Sequence, residues 1–377
     1  MRRFVLAAAE VAIGLGVAWL LVGCQFEEEP PPSLSLASAV GGPVFKDAVE
    51  PLEFSSPRDH GPHFDFQTEW WYYTGNLESE AGQRYGYQLT LFRRGMTPGL
   101  ARRPSQFGSN QIYFAHLALT DATLGEHRAF ERFSRGVDGL AGASGEPYRI
   151  YLEDWSVAAL DSAGSTTRLQ AREQDIGLDL RLQAEQPLVA QGPGGLSPKG
   201  VESTDSTYYF SLTALQTEGT LWVRGEQLEV QGSSWFDHEW GSSVLPAGAV
   251  GWDWFGLQLD DGRELMLYQV RTGQDVLVGG GTLVGEDGQA VWLAAADFEI
   301  ERLGTWSSSL SDSEYPSGWR IVVLDEQLEL ELRPVLIDQE NRLSIVYWEG
   351  AVDVTGTVSG RGYVELTGYD ATLQPWF

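Results

Sequence analysis

The sequence predicts an all-β fold, on three observations that hold from about residue 45 onward. Apolar and polar side chains alternate in short stretches; in residues 84–94, aromatic or leucine side chains occupy every second position from Tyr85 to Leu91. Turn signals separate the stretches, such as the Asp-Gly pair at 261–262. No long run repeats its apolar residues with the period of a helix.

The predicted strands can be justified one by one along the chain. The clearest are 70–77, 84–94, 111–120, 252–259 and 264–271. The third of these is apolar on both faces, as in a strand that is buried on both sides of its sheet. The last two flank the Asp-Gly turn and form a hairpin. Short strands continue to the C-terminus, separated by glycine-rich turns.

The strands are expected to form two units. The body, about 330 residues, is long for one small barrel. Small residues at 241–250 link two strand-rich halves, so we divide the body near residue 245, into 45–245 and 246–377. Two β-barrels are the preferred interpretation because closure removes exposed sheet edges. A single large sandwich is the alternative.

Residues 1–24 have the pattern of a lipoprotein signal peptide. Two arginines precede an apolar run over 5–22, and Leu-Val-Gly-Cys closes it as a lipobox. Cys24 is the only cysteine, so its thiol lies where lipid is attached and no disulfide forms within the chain. The alternative is an N-terminal transmembrane anchor. Gln25 after the cysteine favours the periplasmic side of the outer membrane.

The composition of the remaining chain limits its partners. Residues 25–44 are rich in proline and serine and predict a semi-extended linker. The chain has 25 Lys and Arg against 53 Asp and Glu, a net charge of −28. So acidic a protein argues against nucleic acid and anionic lipid headgroups as partners. Membrane attachment is therefore expected through lipid on Cys24.

The densest mixture of polar and aromatic side chains lies at 60–77. It contains two histidines, Asp65, Glu69 and six aromatic rings, among them Trp70 and Trp71. Carboxylates are rarely buried without a partner, and aromatic side chains combine large apolar area with polar tips. The segment is therefore either a core strand that closes a barrel or one wall of a site.

A second cluster, Ser-Ser-Trp-Phe-Asp-His-Glu-Trp-Gly, lies at 233–241. His238 stands between Asp237 and Glu239, which would orient the ring and hold it partly protonated, as general acid–base catalysis requires. The flanking tryptophans, including Trp240, would shelter it from water. The alternative is a strand-end corner where Asp237 and His238 bond backbone groups.

A third cluster, Gly-Trp-Asp-Trp-Phe-Gly, lies at 251–256. Asp253 shares a strand face with Phe255, and apolar surroundings would raise the pKa of its carboxyl and make it a proton donor. Pairing of Asp253 with an arginine or a backbone amide is the interpretation we favour. Its neighbour Trp252 is a candidate for a ligand-binding wall.

The remaining histidines predict little chemistry. His116, on an apolar strand face, is expected to be a hydrogen-bonded core residue, and His127, after a turn, is expected to be exposed. His60 and His63 with Asp65 offer metal-ligand atoms, but no established metal-ligand spacing occurs, so we predict no metal site. No cofactor signature and no Gly-x-Ser-x-Gly elbow is present either.

Three stretches resemble, in order, hallmarks of one superfamily. Residues 60–77 with 85–94, then 233–241, then 347–369 are similar to those of AttH-like proteins and carotenoid 1,2-hydratase (hydroxyneurosporene synthase). The resemblance covers nearly the whole body. It implies two lipocalin-like β-barrel domains in tandem.

The hydratase branch of that superfamily adds water across an isolated isoprenoid double bond. The resemblance implies a His-x-Trp pair, matched by His238 and Trp240, and a downstream tyrosine and aspartate on one strand. Tyr268 matches the tyrosine, but Gln269 follows it and 266–271 contains no carboxylate. A glutamine cannot donate a proton with the acid strength that an alkene needs.

We therefore expect a lipid-anchored periplasmic protein that binds an apolar or amphipathic ligand, a lipid or isoprenoid, beside an ABC-type lipid or lipoprotein export system. Its binding residues are expected to be Trp70, Trp71, Asp237, Trp240, Trp252 and Tyr268. The alternative is a hydratase-type enzyme, with His238 as acid or base assisted by Asp253 or Glu69. A third alternative is a scaffold in which these clusters only pack. The binding hypothesis and the hydratase hypothesis both require Glu69 and Trp70 to lie close to His238.

Overall fold

The computed structural model describes residues 44–100, 105, 108–137, 139–273, 275–371 and 373. In these ranges the chain forms β-strands and two short 3-10 turns, Arg58–His60 and Pro193–Gly195. None of the described helices is long and apolar enough to cross a bilayer. The predicted signal peptide, its lipidation site Cys24 and nearly all of the predicted linker lie outside the described residues.

The first thirteen strands form one antiparallel sheet. They are β1 (Thr68–Ser79), β2 (Arg84–Gly95), β3 (Gln111–Asp121), β4 (Glu126–Arg135), β5 (Ala141–Gly145), β6 (Tyr148–Leu152), β7 (Trp155–Ala159), β8 (Thr166–Glu173), β9 (Ile176–Ala184), β10 (Val189–Ala190), β11 (Leu196–Pro198), β12 (Ser206–Val223) and β13 (Glu226–Gly241). Their order is β4-β3-β2-β1-β13-β12-β9-β8-β7-β6-β5, with β10 and β11 paired to β12. The sheet curls into a nearly closed barrel.

Ten of the remaining strands form a second antiparallel sheet. The twelve remaining strands are β14 (Gly251–Leu259), β15 (Glu264–Thr272), β16 (Asp275–Val284), β17 (Ala290–Ala294), β18 (Phe298–Arg302), β19 (Thr305–Ser307), β20 (Glu314–Pro316), β21 (Trp319–Val323), β22 (Leu328–Pro334), β23 (Glu340–Arg342), β24 (Val346–Gly356) and β25 (Gly360–Leu366), and all but β19 and β20 belong to this sheet. Their order is β17-β16-β15-β14-β25-β24-β22-β21-β18, with β23 paired to β24, while β19 and β20 pair separately.

The second sheet is also a nearly closed barrel, so the predicted all-β fold with two tandem lipocalin-like barrels is confirmed and the single-sandwich alternative is wrong. The first sheet ends at Gly241 and the second begins at Gly251. The described residues form one compact unit. The division near residue 245 into separate domains stays a prediction.

Three apolar cores hold this arrangement together. The first fills the interior of the first barrel with residues such as Trp71, Phe236 and Trp240. The second fills the other barrel. The third joins side chains of both sheets, and therefore lies where the barrels meet; its aromatic members are Tyr72, Tyr209, Trp235, Trp254, Tyr268 and Tyr363.

The period of two along a strand divides neighbouring residues between these cores. In β1, Trp71 and Tyr73 belong to the first-barrel core, whereas Tyr72 belongs to the core between the barrels. In β13, which pairs with β1, Phe236 points inward and Trp235 points toward the second barrel. Strands rich in aromatic residues suit this position because both of their faces are buried.

Candidate functional site

A cavity opens where the two barrels meet. The empty space in the cavity and in the open solvent at its mouth together amounts to about 900 Å³. It lies beside the third apolar core. The residues that line it are Trp70, Tyr72, Gln88, Thr90, Phe92, His116, Lys199, Tyr209, Asp237, Glu239, Val244, Trp252, Trp254, Tyr268, Val270, Ile345, Tyr347, Glu349, Glu365, Thr367 and Leu373.

The outer face of the first sheet forms the floor of this cavity. Four strands contribute one residue each to a row of direct neighbours: Asp237 on β13, Tyr72 on β1, Thr90 on β2 and His116 on β3. Directly paired residues project from the same face, because side chains alternate with a period of two. Register across the sheet therefore brings together residues far apart in the sequence.

Asp237 lies on this floor with its carboxylate held by two donors. Ser211 Oγ donates to Asp237 Oδ1 at 2.5 Å and the indole Nε1 of Trp235 donates to the same oxygen at 2.7 Å. Burial raises the pKa of Asp237 to about 7, although those hydrogen bonds oppose the shift. A large part of this carboxyl is therefore protonated at neutral pH.

Two further carboxyls face Asp237 from the second barrel. Glu349 on β24 and Glu365 on β25 are directly paired neighbours, so both project into the cavity from one face. Burial raises the pKa of Glu365 to about 8, while the indole of Trp252, which donates to its Oε1 at 3.1 Å, lowers it. Burial and the charge of Glu365 raise the pKa of Glu349 well above its usual range.

Glu349 is the least satisfied of the three acids. Among the described residues, neither of its oxygens makes a hydrogen bond of regular geometry. The phenol of Tyr72 is near enough to favour its charged form, but not enough to offset burial. A buried, unsatisfied carboxyl is costly unless it is neutral or meets a ligand.

Lys199 is a basic side chain among the described residues that line the cavity. Lys199 Nζ pairs with Glu239 Oε1 at 2.6 Å, and Thr207 also bonds that carboxylate. The ammonium lies 4.8 Å from the ring centroid of Tyr268 and 5.4 Å from that of Tyr209. Glu239 is thus paired with a basic side chain.

His116 is buried, as expected, but it lines the cavity rather than a barrel core. Tyr347 OH lies 2.8 Å from its Nδ1, and Gln88 Nε2 donates to the same phenol at 3.0 Å. Burial lowers the pKa of His116 to about 3, so the ring is neutral. Its Nε2 has no hydrogen-bond partner within the described ranges.

His127 is half-buried, so the expectation of an exposed side chain is wrong. Its Nδ1 lies 2.8 Å from Thr120 Oγ1 and its Nε2 lies 2.9 Å from Asn341 Oδ1 of the second barrel. The turn residues before His127 predicted only a change in backbone direction. They carry no information about the second barrel, which covers the His127 side chain.

The predicted acid–base pair lies on the opposite face of β1 and β13, inside the first barrel. Glu69 Oε1 lies 3.0 Å from His238 Nε2 and 2.8 Å from His63 Nδ1, and Arg93 Nε donates to Glu69 Oε2 at 2.7 Å. Glu69 and His238 are therefore close, as both functional hypotheses required. They do not line the cavity, however.

The electrostatics of this inner network suit a structural role. Burial would raise the pKa of Glu69, but Arg93 and the two histidines hold it well below its usual range. Burial lowers the pKa of His238 to about 4 despite Glu69, so its ring is neutral. The pair of Glu69 and His238 therefore offers no acid at neutral pH. Burial would lower the pKa of His63, but its hydrogen bonds to Asp59 and Glu69 raise it above the usual value.

Two predicted binding residues pack within the same network. The Trp71 ring stacks on His238 with centroids 4.9 Å apart, and Trp240 stacks on His63 at 3.7 Å. Both indoles belong to the first-barrel core and neither lines the cavity. Their assignment to ligand binding does not fit this geometry, because they lie on the inward face of their strands.

His63, Glu69 and His238 are the described residues whose possible metal-ligand atoms come within 4.8 Å of one another. Arg93 lies against the same carboxylate, with its side chain fully buried. A divalent cation there would add charge to a buried site that is already compensated. The donor set therefore suits a hydrogen-bonded network better than a metal.

Asp253 is held by cations, which is the interpretation that we favoured for it. Arg271 Nε donates to its Oδ1 at 2.8 Å and Arg302 approaches its Oδ2 at 3.2 Å. Tyr369 OH donates to the same carboxylate at 3.0 Å. Asp253 is not a cavity residue, whereas its neighbour Trp252 and the predicted Tyr268 are.

Four of the predicted binding residues line the cavity, namely Trp70, Asp237, Trp252 and Tyr268, and their role in binding stays a prediction. Sequence reasoning missed the acids of the second barrel. Glu349 and Glu365 both lie within the third hallmark stretch, 347–369. The available signal in the sequence was that each of these glutamates stands within a mainly apolar predicted strand. Recognising it required the register of β24 and β25.

Comparison with known proteins agrees with this fold. An AttH-like family profile matches residues 47–369. A putative AttH from Nitrosomonas europaea has 34% sequence identity and a TM-score of 0.77, covering 87% of this chain and 99% of that one. No curated protein matches the chain.

More distant solved structures share the fold. Kievitone hydratase from Nectria haematococca has 16% identity and a TM-score of 0.66, over 88% of this chain and 97% of its own. CghA, solved with Sch210972, has 14% identity and a TM-score of 0.51, over 89% and 97%. The resemblance in the three hallmark stretches is thus confirmed, and this chain belongs to the AttH-like family.

Proposed function

We propose that the cavity between the barrels binds an apolar or amphipathic molecule and hydrates an isolated double bond in it. One observation carries the proposal: Asp237, Glu349 and Glu365, three buried carboxyls with raised pKa, meet in an aromatic cavity. Carboxyl groups that stay protonated at neutral pH are general acids by virtue of their surroundings.

The reaction would proceed by proton transfer followed by addition of water. A protonated carboxyl, such as that of Glu365, donates its proton to one alkene carbon; a C–H bond forms as the π bond breaks, leaving a carbocation on the other carbon. A water oxygen bonds to this carbon and a proton of that water returns to the carboxylate. The rings of Trp70 and Trp254 supply aromatic faces that stabilise a cation and exclude bulk water.

One structural neighbour is named for this reaction class. Kievitone hydratase has the same two-barrel fold and is named as a hydratase. At 16% identity the likeness concerns the fold alone. The proposal therefore depends on the acids of this chain.

The proposed test uses farnesol, an isoprenoid alcohol with isolated double bonds, incubated with the purified protein in water labelled with oxygen-18. The expected product carries one labelled hydroxyl, detected by mass spectrometry. Glu365→Gln and Asp237→Asn should each lower its rate of formation by about 10²- to 10⁴-fold. Farnesol that binds without any labelled product would leave a binding protein and overturn the hydratase proposal.

Glu264→Gln is the matched control. Burial raises the pKa of Glu264 to about 7, as for Asp237, but Glu264 does not line the cavity. Its replacement should leave product formation unchanged. An equal loss of product formation in Glu264→Gln and Glu365→Gln would show that replacing any buried carboxyl disturbs the fold, and that Glu365 has no specific part in the reaction.

The cellular location is a separate proposal. Lipid attachment at Cys24 would place the cavity on the periplasmic side of the outer membrane, where lipids and isoprenoids are at hand. Labelling with a radioactive fatty acid should mark the wild-type chain and not Cys24→Ser. Labelling of both would show that Cys24 is not the attachment site.

A further inference from the structure

The floor of the cavity continues beyond it as a row of aromatic rings. Trp70, Phe92, Phe114 and Phe133 are direct neighbours on the four adjacent strands β1, β2, β3 and β4. The rings of Phe92 and Phe114 stack with centroids 4.3 Å apart, and those of Phe114 and Phe133 are 5.5 Å apart. We call these four residues the aromatic row.

The row leads from the cavity to the edge of the sheet. Trp70 and Phe92 line the cavity. Phe133 lies on β4, the terminal strand of the first sheet, and is 50% exposed. Three strand spacings of about 4.8 Å make the row roughly 14 Å long. One continuous apolar path therefore connects the cavity with the surface.

The half-exposed ring of Phe133 lies on an edge strand, at the outer end of the aromatic row. Its position on a stacked path out of the cavity, rather than on an isolated apolar patch, suggests an elongated occupant. A hydrocarbon chain carries no charge and gains free energy from each methylene group placed on such a surface. An anionic membrane surface would be repelled by the net charge of −28.

We propose that the aromatic row binds the hydrocarbon tail of the ligand whose polar or reacting part lies in the cavity. The inference deepens the proposed function and rests on it. The ligand class is then a long-chain amphipath, and chain length is the property that the row recognises.

The test compares n-alkanols from octanol to hexadecanol as competitors of N-phenyl-1-naphthylamine, a fluorescent apolar probe, bound to the purified protein. Affinity should rise about fourfold for each added methylene group that contacts the row. Phe114→Ser should weaken binding of hexadecanol about tenfold and leave that of octanol within about twofold. Phe133→Ser, at a half-exposed position, repeats the test where folding is not at risk.

Leu310→Ser is the control and should change neither affinity, because this side chain is 72% exposed and lies between β19 and β20, outside the first sheet. Equal weakening of octanol and hexadecanol by Phe133→Ser, or no weakening of either, would overturn the role of the row while leaving the cavity proposal standing. Failure of every alkanol to displace the probe would instead overturn the cavity as an apolar binding site.

Discussion

The paired strands β13 and β1 hold two buried carboxyl groups, those of Asp237 and Glu69, whose pKa values are shifted in opposite directions. Burial without a cation raises the pKa of Asp237 to about 7. Glu69 is equally buried, but Arg93 and two histidines hold its pKa well below the usual range. The presence or absence of a paired guanidinium thus decides which buried carboxyl can act as an acid.

The raised pKa of Asp237 makes stability depend on pH. The unfolded chain loses this proton near pH 4, and the folded protein keeps it to about pH 7. Between these values the folded state binds more protons, so the free energy of unfolding should fall as pH rises, by about 1.4 kcal/mol per pH unit from this group. Glu365 adds a similar slope up to about pH 8.

Urea unfolding at pH 5 and pH 8 measures this slope. Asp237→Asn should reduce the difference between the two pH values, because the amide resembles the protonated acid and does not titrate. An unchanged difference in Asp237→Asn would show that Asp237 has no raised pKa in the folded protein.

The buried pair of Arg93 and Glu69 should be expensive to break. Arg93→Leu leaves the buried carboxylate of Glu69 without its guanidinium partner, at an expected cost of about 3–5 kcal/mol in the free energy of unfolding. Arg320→Leu is the control, since its pair with Glu329 is exposed on both sides and such pairs contribute about 0–1 kcal/mol. Comparable losses in both variants would contradict the structural role of the inner network.

At the scale of the strand, β1 serves two different purposes with alternate residues. Its inward side chains, such as Trp71, fill the first-barrel core, and its outward side chains, such as Trp70 and Tyr72, line the cavity. Alternate residues of one strand therefore stabilise the barrel and line the cavity, so a substitution on one face leaves the side chains of the other face in place.

This division predicts that adjacent substitutions have different effects. Trp71→Ala should lower the free energy of unfolding by about 3–5 kcal/mol, because it empties a fully buried position. Trp70→Ala should cost less than half of that and instead weaken binding of the fluorescent probe. Chemical unfolding and probe titration of both variants measure the two effects; a loss of stability in Trp70→Ala as large as in Trp71→Ala would contradict this.

At the scale of the molecule, the cavity depends on how closely the barrels pack. Trp254 Nε1 donates to Tyr209 OH at 3.0 Å and Asn76 Nδ2 donates to the carbonyl of Gly362 at 3.2 Å across the junction. A Cβ at Gly86 would lie 2.6 Å from Tyr363 OH and 2.9 Å from the Cβ of Ala351. Glycine at this position therefore permits a close approach of the two sheets.

Gly86→Ala should consequently push the barrels apart, lowering the melting temperature by several degrees and weakening probe binding together. Gly145→Ala is the control, since a Cβ there would meet no atom closer than 3.5 Å. Normal probe binding in Gly86→Ala would show that the cavity does not depend on this contact.

The strand pattern and the three hallmark stretches were sufficient to predict the all-β class and the two barrels. Alternation, turn residues and glycine are local properties, and each is readable within a few residues. Local clustering with other aromatic and charged side chains also singled out four residues that line the cavity: Trp70, Asp237, Trp252 and Tyr268. The sequence did not show which face of each strand lines the cavity, because both faces are apolar enough to be buried.

The sequence by itself determined the strands, the two barrels and the supply of aromatic and acidic side chains. Only the tertiary structure decided which acids meet. Asp237 and His238 are adjacent in the chain, yet they project into different compartments, while Asp237 and Glu365 share a cavity across 128 positions. The physical reason is that strand register and the packing of one barrel on the other set burial, and burial sets the pKa of each carboxyl.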